Sequence, residues 1–153
     1  MTDTKWRDRF LDLAKHISTW SKDPSRQIGA VAIEPSTKRI LSTGYNGFPR
    51  GIDDSDDRLA DRETKYKYVV HGEMNAIYNA TMNGVNLSGS DFYVYGLPVC
   101  SECAKGLIQV GVKRVFILVD QEIPDTWATS WAMSQSMLNE AGISTEIVYK
   151  GKQ

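Results

Sequence analysis

Cysteine and histidine are scarce in this sequence, with two of each among 153 residues. Two cysteines three positions apart cannot build a disulfide framework, which removes the small stapled secreted scaffolds. No apolar run approaches the roughly 20 residues that a membrane-spanning helix needs. Neither sign of charge dominates, since 18 Lys and Arg stand against 19 Asp and Glu for a formal charge of −1. A protein that grips a nucleic-acid backbone shows a basic excess or stripe, and none is visible. The opening residues, Met1 to Trp6, lack the basic start and apolar stretch of a signal peptide. Repeats, low-complexity tracts and linkers are missing too. The expectation is one domain over residues 1–153, cytoplasmic, acting on no nucleic-acid polymer and no membrane.

What remains is a globular composition, with 41% hydrophobic residues to make a core. Trp6, Phe10, Leu13, Ile17 and Trp20 recur at helical spacing and predict an opening amphipathic helix. Residues 28–33 and 39–44, parted by Pro35-Ser36-Thr37-Lys38, predict a β-hairpin. Residues 45–67 are rich in glycine, proline and charge and show no period, so they read as a long irregular segment. A helix follows over 70–83, with Gly84 as its stop. Strands are then predicted at 91–95, 112–119 and 144–149, alternating with helices at 100–110 and 126–141. Trp127, Trp131 and Leu138 form the inward side of that last helix, and the tryptophans suit core or subunit interface better than a stacking platform. The alternation implies right-handed crossovers and a three-layer α/β/α sandwich with a mixed five-stranded sheet.

Three residues are candidate metal ligands: His71, Cys100 and Cys103. A Cys-x-x-Cys pair at a helix start lets two thiolates converge on one ion, and the helix N-terminus favours their charge. Nitrogen and sulfur ligands point to zinc, and three side chains leave a fourth position for water, as catalytic sites do. Glu73, two residues after His71, is placed to exchange protons with that water without being a ligand. Taken alone, a Cys-x-x-Cys pair also fits a redox couple or half of a structural zinc site, and a His-x-Glu pair arises by chance on surface helices. Together, at two predicted helix starts separated by one strand, they match the known signature H-x-E…P-C-x-x-C of zinc nucleobase deaminases; this is a match to an established pattern, not a derivation. The match departs in one place, because Val99 stands between Pro98 and Cys100.

With these motifs the chain resembles the deoxycytidylate (dCMP) deaminase family of the cytidine deaminase-like superfamily. The resemblance runs from about Ser21 to Tyr149. It rests on Lys22-Asp23-Pro24, Gln27-Ile28-Gly29-Ala30, Gly44-Tyr45-Asn46-Gly47 with Pro49, Thr64-Lys65-Tyr66, His71-Gly72-Glu73-Met74-Asn75-Ala76-Ile77 and Cys103-Ala104-Lys105. It implies hydrolysis of dCMP to dUMP and ammonia, by attack of zinc-bound hydroxide at C4 with Glu73 as proton shuttle. A 5-substituted dCMP or another nucleobase is the alternative substrate, and a non-catalytic zinc-stabilised module is the alternative from another class. The resemblance further implies that Asn46 holds the sugar 3′-hydroxyl and that the Gly72 N–H meets the cytosine O2. Read from the residues alone, Asn46 is equally an ordinary turn residue in an Asn-Gly pair. Arg26 reads as a phosphate contact or as a surface charge. Family members are often hexamers regulated by dCTP and dTTP, so a closed homo-oligomer, hexameric for preference, and these two effectors are expected. The acidic stretch from Asp53 to Glu63 suits a solvated loop better than a magnesium-triphosphate site.

Overall fold

The computed structural model describes residues 4–151; Met1 to Asp3, part of the start read above, lie outside the described residues, as do Lys152 and Gln153. The chain opens with helix α1 (Thr4–Ser18), then the hairpin β1 (Gly29–Ile33) and β2 (Ile40–Tyr45). Two short helices follow, α2 (Asp56–Ala60) and α3 (Arg62–Tyr68), before α4 (Gly72–Met82), β3 (Asp91–Tyr95) and α5 (Ser101–Gln109). The chain then forms β4 (Arg114–Val119), a 3₁₀ turn at Asp125–Trp127, α6 (Ala128–Glu140) and β5 (Ser144–Tyr149). The strands form one five-stranded sheet in the order β2-β1-β3-β4-β5. β1 pairs antiparallel with both β2 and β3, while β3, β4 and β5 run parallel. The expected mixed sheet is thus present. No helix among the described residues is long and apolar enough to cross a membrane.

Strand alternation divides the core between two faces. Tyr93 and Tyr95 of β3 turn toward α1, where Phe10, Leu11 and Ile17 join Val31, Ile33 and Phe116. Phe92 and Val94 turn the other way, against Ala76, Ile77, Leu107 and Leu138 from α4, α5 and α6. Fully burying side chains such as Leu107 and Leu138 is worth about 1.5–3 kcal/mol each. Asp91, wholly buried at the start of β3, is held by Arg114 of β4 through bonds of 3.0 and 2.5 Å. A buried carboxylate persists only with such a partner.

Two expectations need correction. Trp20 does not continue the apolar face of α1. The helix ends at Ser18, where the Ser18 and Thr19 hydroxyls turn back on the Lys15 and His16 carbonyls. Trp20 is left 53% exposed, edge-on to Tyr45. The long segment after β2 is not irregular throughout, because Ser55 caps α2 by accepting from the Arg58 N–H and Leu59 is buried. Helices of five and seven residues are too short to show a period in sequence. Trp127 and Trp131 pack against the core as expected, half-buried, and Leu138 is fully inward.

Two glycines set the distance between helices and sheet. A Cβ on Gly29 would lie 2.0 Å from the Ala14 carbonyl oxygen of α1, and one on Gly44 would lie 2.2 Å from the Ala76 nitrogen of α4. Backbone occupies both spaces, and backbone cannot rotate away as a side chain can. Gly44→Ala is therefore expected to cost about 3 kcal/mol of unfolding free energy, as overpacking does. Urea denaturation should show a lower midpoint, and an unchanged midpoint would mean that α4 lifts freely from β2.

Candidate active site

Two helix starts meet beside the sheet. His71 is the residue before α4, in extended conformation, and Cys100 stands in the same position before α5. The two helices approach closely because residue 106 is glycine: a Cβ there would meet the Met74 sulfur of α4 at 2.7 Å. This contact brings together groups that the sequence separates by about thirty residues. His71 Nδ1 lies 3.3 Å from Cys100 Sγ and 3.4 Å from Cys103 Sγ. Cys103 is fully buried and Cys100 nearly so. The Cys103 N–H points at Cys100 Sγ, 3.4 Å away. All three candidate ligand atoms lie within 4.8 Å of one another. Around a tetrahedral zinc with bonds of about 2.0–2.3 Å the ligand atoms stand about 3.5 Å apart, so the trio already has nearly the spacing an ion requires.

The charges of the trio suit a cation. Hydrogen bonds from Cys103 and His71 lower the Cys100 thiol to about 4, which leaves a thiolate at neutral pH. The Cys103 thiol, donating to that thiolate and buried, is pushed up. The bond to Cys100 in turn raises His71 to about 8. One shared negative charge among three donors at two helix N-termini is a site that a divalent ion completes.

Glu73 sits in the first turn of α4, only 4% exposed. Burial raises its carboxyl to about 7, outweighing the attraction of His71, which acts in the other direction. It lines a cavity of about 350 Å³ together with His71. A carboxyl that holds its proton near neutrality suits both taking and giving one.

The same cavity reaches Asn46 and Arg26, so the structure brings both to the neighbourhood of Glu73. Each has other work there. Asn46 is buried, its Oδ1 accepting from the Ile28 N–H at 2.9 Å and its Nδ2 donating to the Arg26 carbonyl at 2.9 Å. Arg26 spans the opening to the β4–α6 loop and donates to the Glu122 carbonyl at 3.0 Å and the Gln121 side chain at 3.4 Å. Both of those acceptors are neutral. Gly72 is buried but is not among the residues lining the cavity. It lies under Ile28, where an added Cβ would come within 3.2 Å.

The sequence reading assigned no role to Asp23, Lys65 or Tyr66, which also line the cavity. Trp127 lines it too, instead of serving only core or interface, with its indole N–H donating to the Pro98 carbonyl at 2.8 Å. No local signal in the sequence marks this, because its place opposite the Pro98 carbonyl is visible only in the fold.

A five-stranded sheet with these two helix starts on one side is the architecture of the cytidine deaminase-like fold. Solved structures agree: dCMP deaminase from the cyanophage S-TIM5, in complex with dCMP and dUMP, superposes with a TM-score of 0.75 at 22% identity, covering 97% of this chain and 100% of that one. A tRNA:A34 deaminase structure superposes at a TM-score of 0.58 with 20% identity. The cytidine and deoxycytidylate deaminase zinc-binding region matches residues 4–119. Among relatives, an uncharacterised deaminase encoded in the luxG 3′ region of Aliivibrio fischeri is 39% identical over 141 residues, spanning 92% of this chain and 91% of that protein. The deoxycytidylate deaminase of Homo sapiens is 37% identical over 147 residues, spanning 92% of this chain and 78% of that protein. The chain belongs to the cytidine and deoxycytidylate deaminase family.

The protein is expected to purify with about one zinc ion per chain. Cys103→Ala should retain less than about a tenth of it, because two remaining ligands hold the ion poorly. Elemental analysis after dialysis measures this, and full retention in the variant would remove Cys103 from the ligand set.

Proposed function

We propose that this chain hydrolyses dCMP to dUMP and ammonia, with His71, Cys100 and Cys103 as zinc ligands and Glu73 as the proton carrier. The observation that carries the reading is the buried Glu73 carboxyl in one cavity with His71, in a chain whose relatives include named deoxycytidylate deaminases. Zinc held by the trio supplies Lewis acidity, which brings water toward a pKa of about 7. Glu73 takes a proton as the oxygen adds to C4 and passes it to the ring nitrogen N3. A second proton leaves with the amino group as ammonia, and the carbonyl of dUMP forms. The Gly72 N–H, at the start of α4, is the proposed partner of the cytosine O2, as the first N–H groups of a helix have no partner within it.

Arg26 is the proposed contact for the 5′-phosphate. Among the described residues its guanidinium meets only neutral acceptors, so its charge is free to pair with an anion at the cavity mouth. That favours a nucleotide over a free base or nucleoside. A 5-substituted dCMP keeps the C4 amino group and the 5′-phosphate, and it stands as the alternative substrate. A closed zinc staple without catalysis is disfavoured by the 350 Å³ cavity and the proton-holding Glu73 beside the ligand trio.

A substrate panel of dCMP, 5-methyl-dCMP, deoxycytidine, cytosine and guanine tests this. The monophosphates should turn over with the highest kcat/KM, and preference for a nucleoside or free base would overturn the assignment. Glu73→Gln should keep zinc and lose about 10²–10⁴-fold in kcat, the usual contribution of a general acid–base group.

We further propose that the chain forms a closed homo-oligomer, a hexamer for preference, responsive to dCTP and dTTP. Supporting this, the loop that carries Asn46 also builds a second cavity of about 400 Å³ with Tyr45, Phe48, Arg50 and Tyr78. Exposed Trp20, Tyr45 and Tyr78 add aromatic surface of the kind interfaces use. Light scattering should report a particle several times 17.1 kDa. dCTP should lower and dTTP raise the apparent KM for dCMP, and a monomer with unresponsive kinetics would remove both claims while leaving the chemistry.

A further inference from the structure

Lys65 of α3 and Asp23 of the α1–β1 loop form an ion pair inside the molecule. Lys65 Nζ lies 3.1 Å from Asp23 Oδ1, and the two side chains are 9% and 8% exposed. Both residues line the active-site cavity, yet the proposed chemistry uses neither. A buried pair of this kind is weak evidence for stability, since desolvating two charges offsets most of their attraction. Its position suggests a different role.

Asp23 is the centre of a network. The oxygen that meets Lys65 also accepts from the Ser25 N–H at 2.8 Å and the Arg26 N–H at 3.1 Å, folding residues 23–26 into a tight turn. Its second oxygen faces Asn46 Nδ2 at 3.4 Å, and that amide also takes the Arg26 carbonyl. Ser21 closes the ring, its hydroxyl donating to the Asn46 carbonyl at 2.8 Å and accepting from the Asp23 N–H at 3.2 Å. Every bond to the Arg26 backbone in this group thus passes through Asp23 or Asn46. Lys65 is the only member from α3, so through it alone the network joins the α2–α3 wall of the cavity to the loop bearing Arg26.

We propose that the Asp23–Lys65 pair positions Arg26 and so sets the preference of the site for a phosphorylated over an unphosphorylated substrate. The proposal rests on the deaminase reading for its kinetic arm only. Lys65 acts through Asp23; it is a positioning residue, and Arg26 makes the contact. Without the ammonium, the Asp23 carboxylate is buried and unpaired, and it regains solvation by turning the 23–26 segment outward.

The test compares Lys65→Met, the nearly isosteric Asp23→Asn and the double variant, each checked for zinc content and cooperative unfolding. In both single variants the ratio of kcat/KM for dCMP to that for deoxycytidine should fall at least about tenfold, carried by KM for dCMP. The double variant should fall no further than either single one, as expected for two residues that act as a unit. Amide exchange at Ser25 and Arg26 should accelerate about tenfold or more in Lys65→Met, an effect that needs no substrate. Folded variants with unchanged ratio and unchanged exchange would overturn the proposal. A loss in Lys65→Met with none in Asp23→Asn would also overturn it, by making Lys65 a direct contact. If the wild-type protein deaminates neither dCMP nor deoxycytidine, the deaminase reading fails, while the exchange measurement still decides whether the pair holds the loop.

Discussion

The absence of a side chain at Gly44 governs where the chemistry sits. With only hydrogen on that Cα, the α4 backbone descends until the Ala76 nitrogen is 2.2 Å from where a Cβ would be, and the Gly72 carbonyl 2.5 Å. α4 is thereby pressed on β2 along its first turn, the turn that carries Glu73 and follows His71. Gly106 makes a softer contact, leaving room on α5 for the Met74 and Ile77 side chains of α4. Zinc ligands must converge to within a few tenths of an ångström, and side-chain packing alone rarely specifies a helix position so tightly. Backbone-to-backbone contact does, because it has no rotamers to exchange. The position of His71 and Glu73 thus depends on the Gly44 contact as much as on their own residue types.

From that placement the electrostatics follow. His71 and Cys100 occupy the last non-helical positions before α4 and α5, so both helix N-termini face the same small volume. Their dipoles favour thiolate over thiol, in the direction that the lowered Cys100 shows. Glu73, two residues further along in the first turn of α4, experiences the opposite balance. Desolvation, which favours the neutral acid, exceeds the pull of His71, which favours the carboxylate. The site therefore holds a sulfur that sheds its proton beside a carboxyl that keeps one. Hydrogen bonding from Cys103 lowers the first, and burial raises the second.

How far this was legible in the sequence depends on the range of the interactions. His71, Glu73, Cys100 and Cys103 stood out as candidates in sequence because groups that share a helix start fall at fixed short spacings. The parallel strands showed as short apolar runs such as Val115-Phe116-Ile117-Leu118-Val119, buried on both faces. α2 and α3 left no periodic trace, being shorter than two helical turns. Trp20 matched the helical period yet fell beyond the end of α1, where hydroxyl-to-carbonyl bonds decided the boundary rather than hydrophobicity. The Asp23–Lys65 pair, 42 residues apart, is invisible to any local rule. Each half lay in a segment that resembled the family, but nothing in the one segment names the other.

Asn46 is no ordinary turn residue, because its side chain bonds across the loop to residues 23, 26 and 28. Both hydrogens of its amide are directed at protein acceptors and its oxygen already takes the Ile28 N–H. A sugar hydroxyl arriving there would find one lone pair on Oδ1 unspent and the amide immobile. The next residue, Gly47, exchanges a pair of backbone bonds with Val70, at 3.1 and 2.7 Å, and Val70 directly precedes His71. The loop is therefore fastened at one end to the residue before the first metal-ligand candidate and at the other to the Arg26 backbone. Fixing these elements before a ligand arrives removes the entropy of ordering them from the binding step. Asn46, spent on the backbone of Arg26 and Ile28, thus ties the loop that leads to Val70 and His71 to the segment that carries Arg26, two parts of one cavity wall.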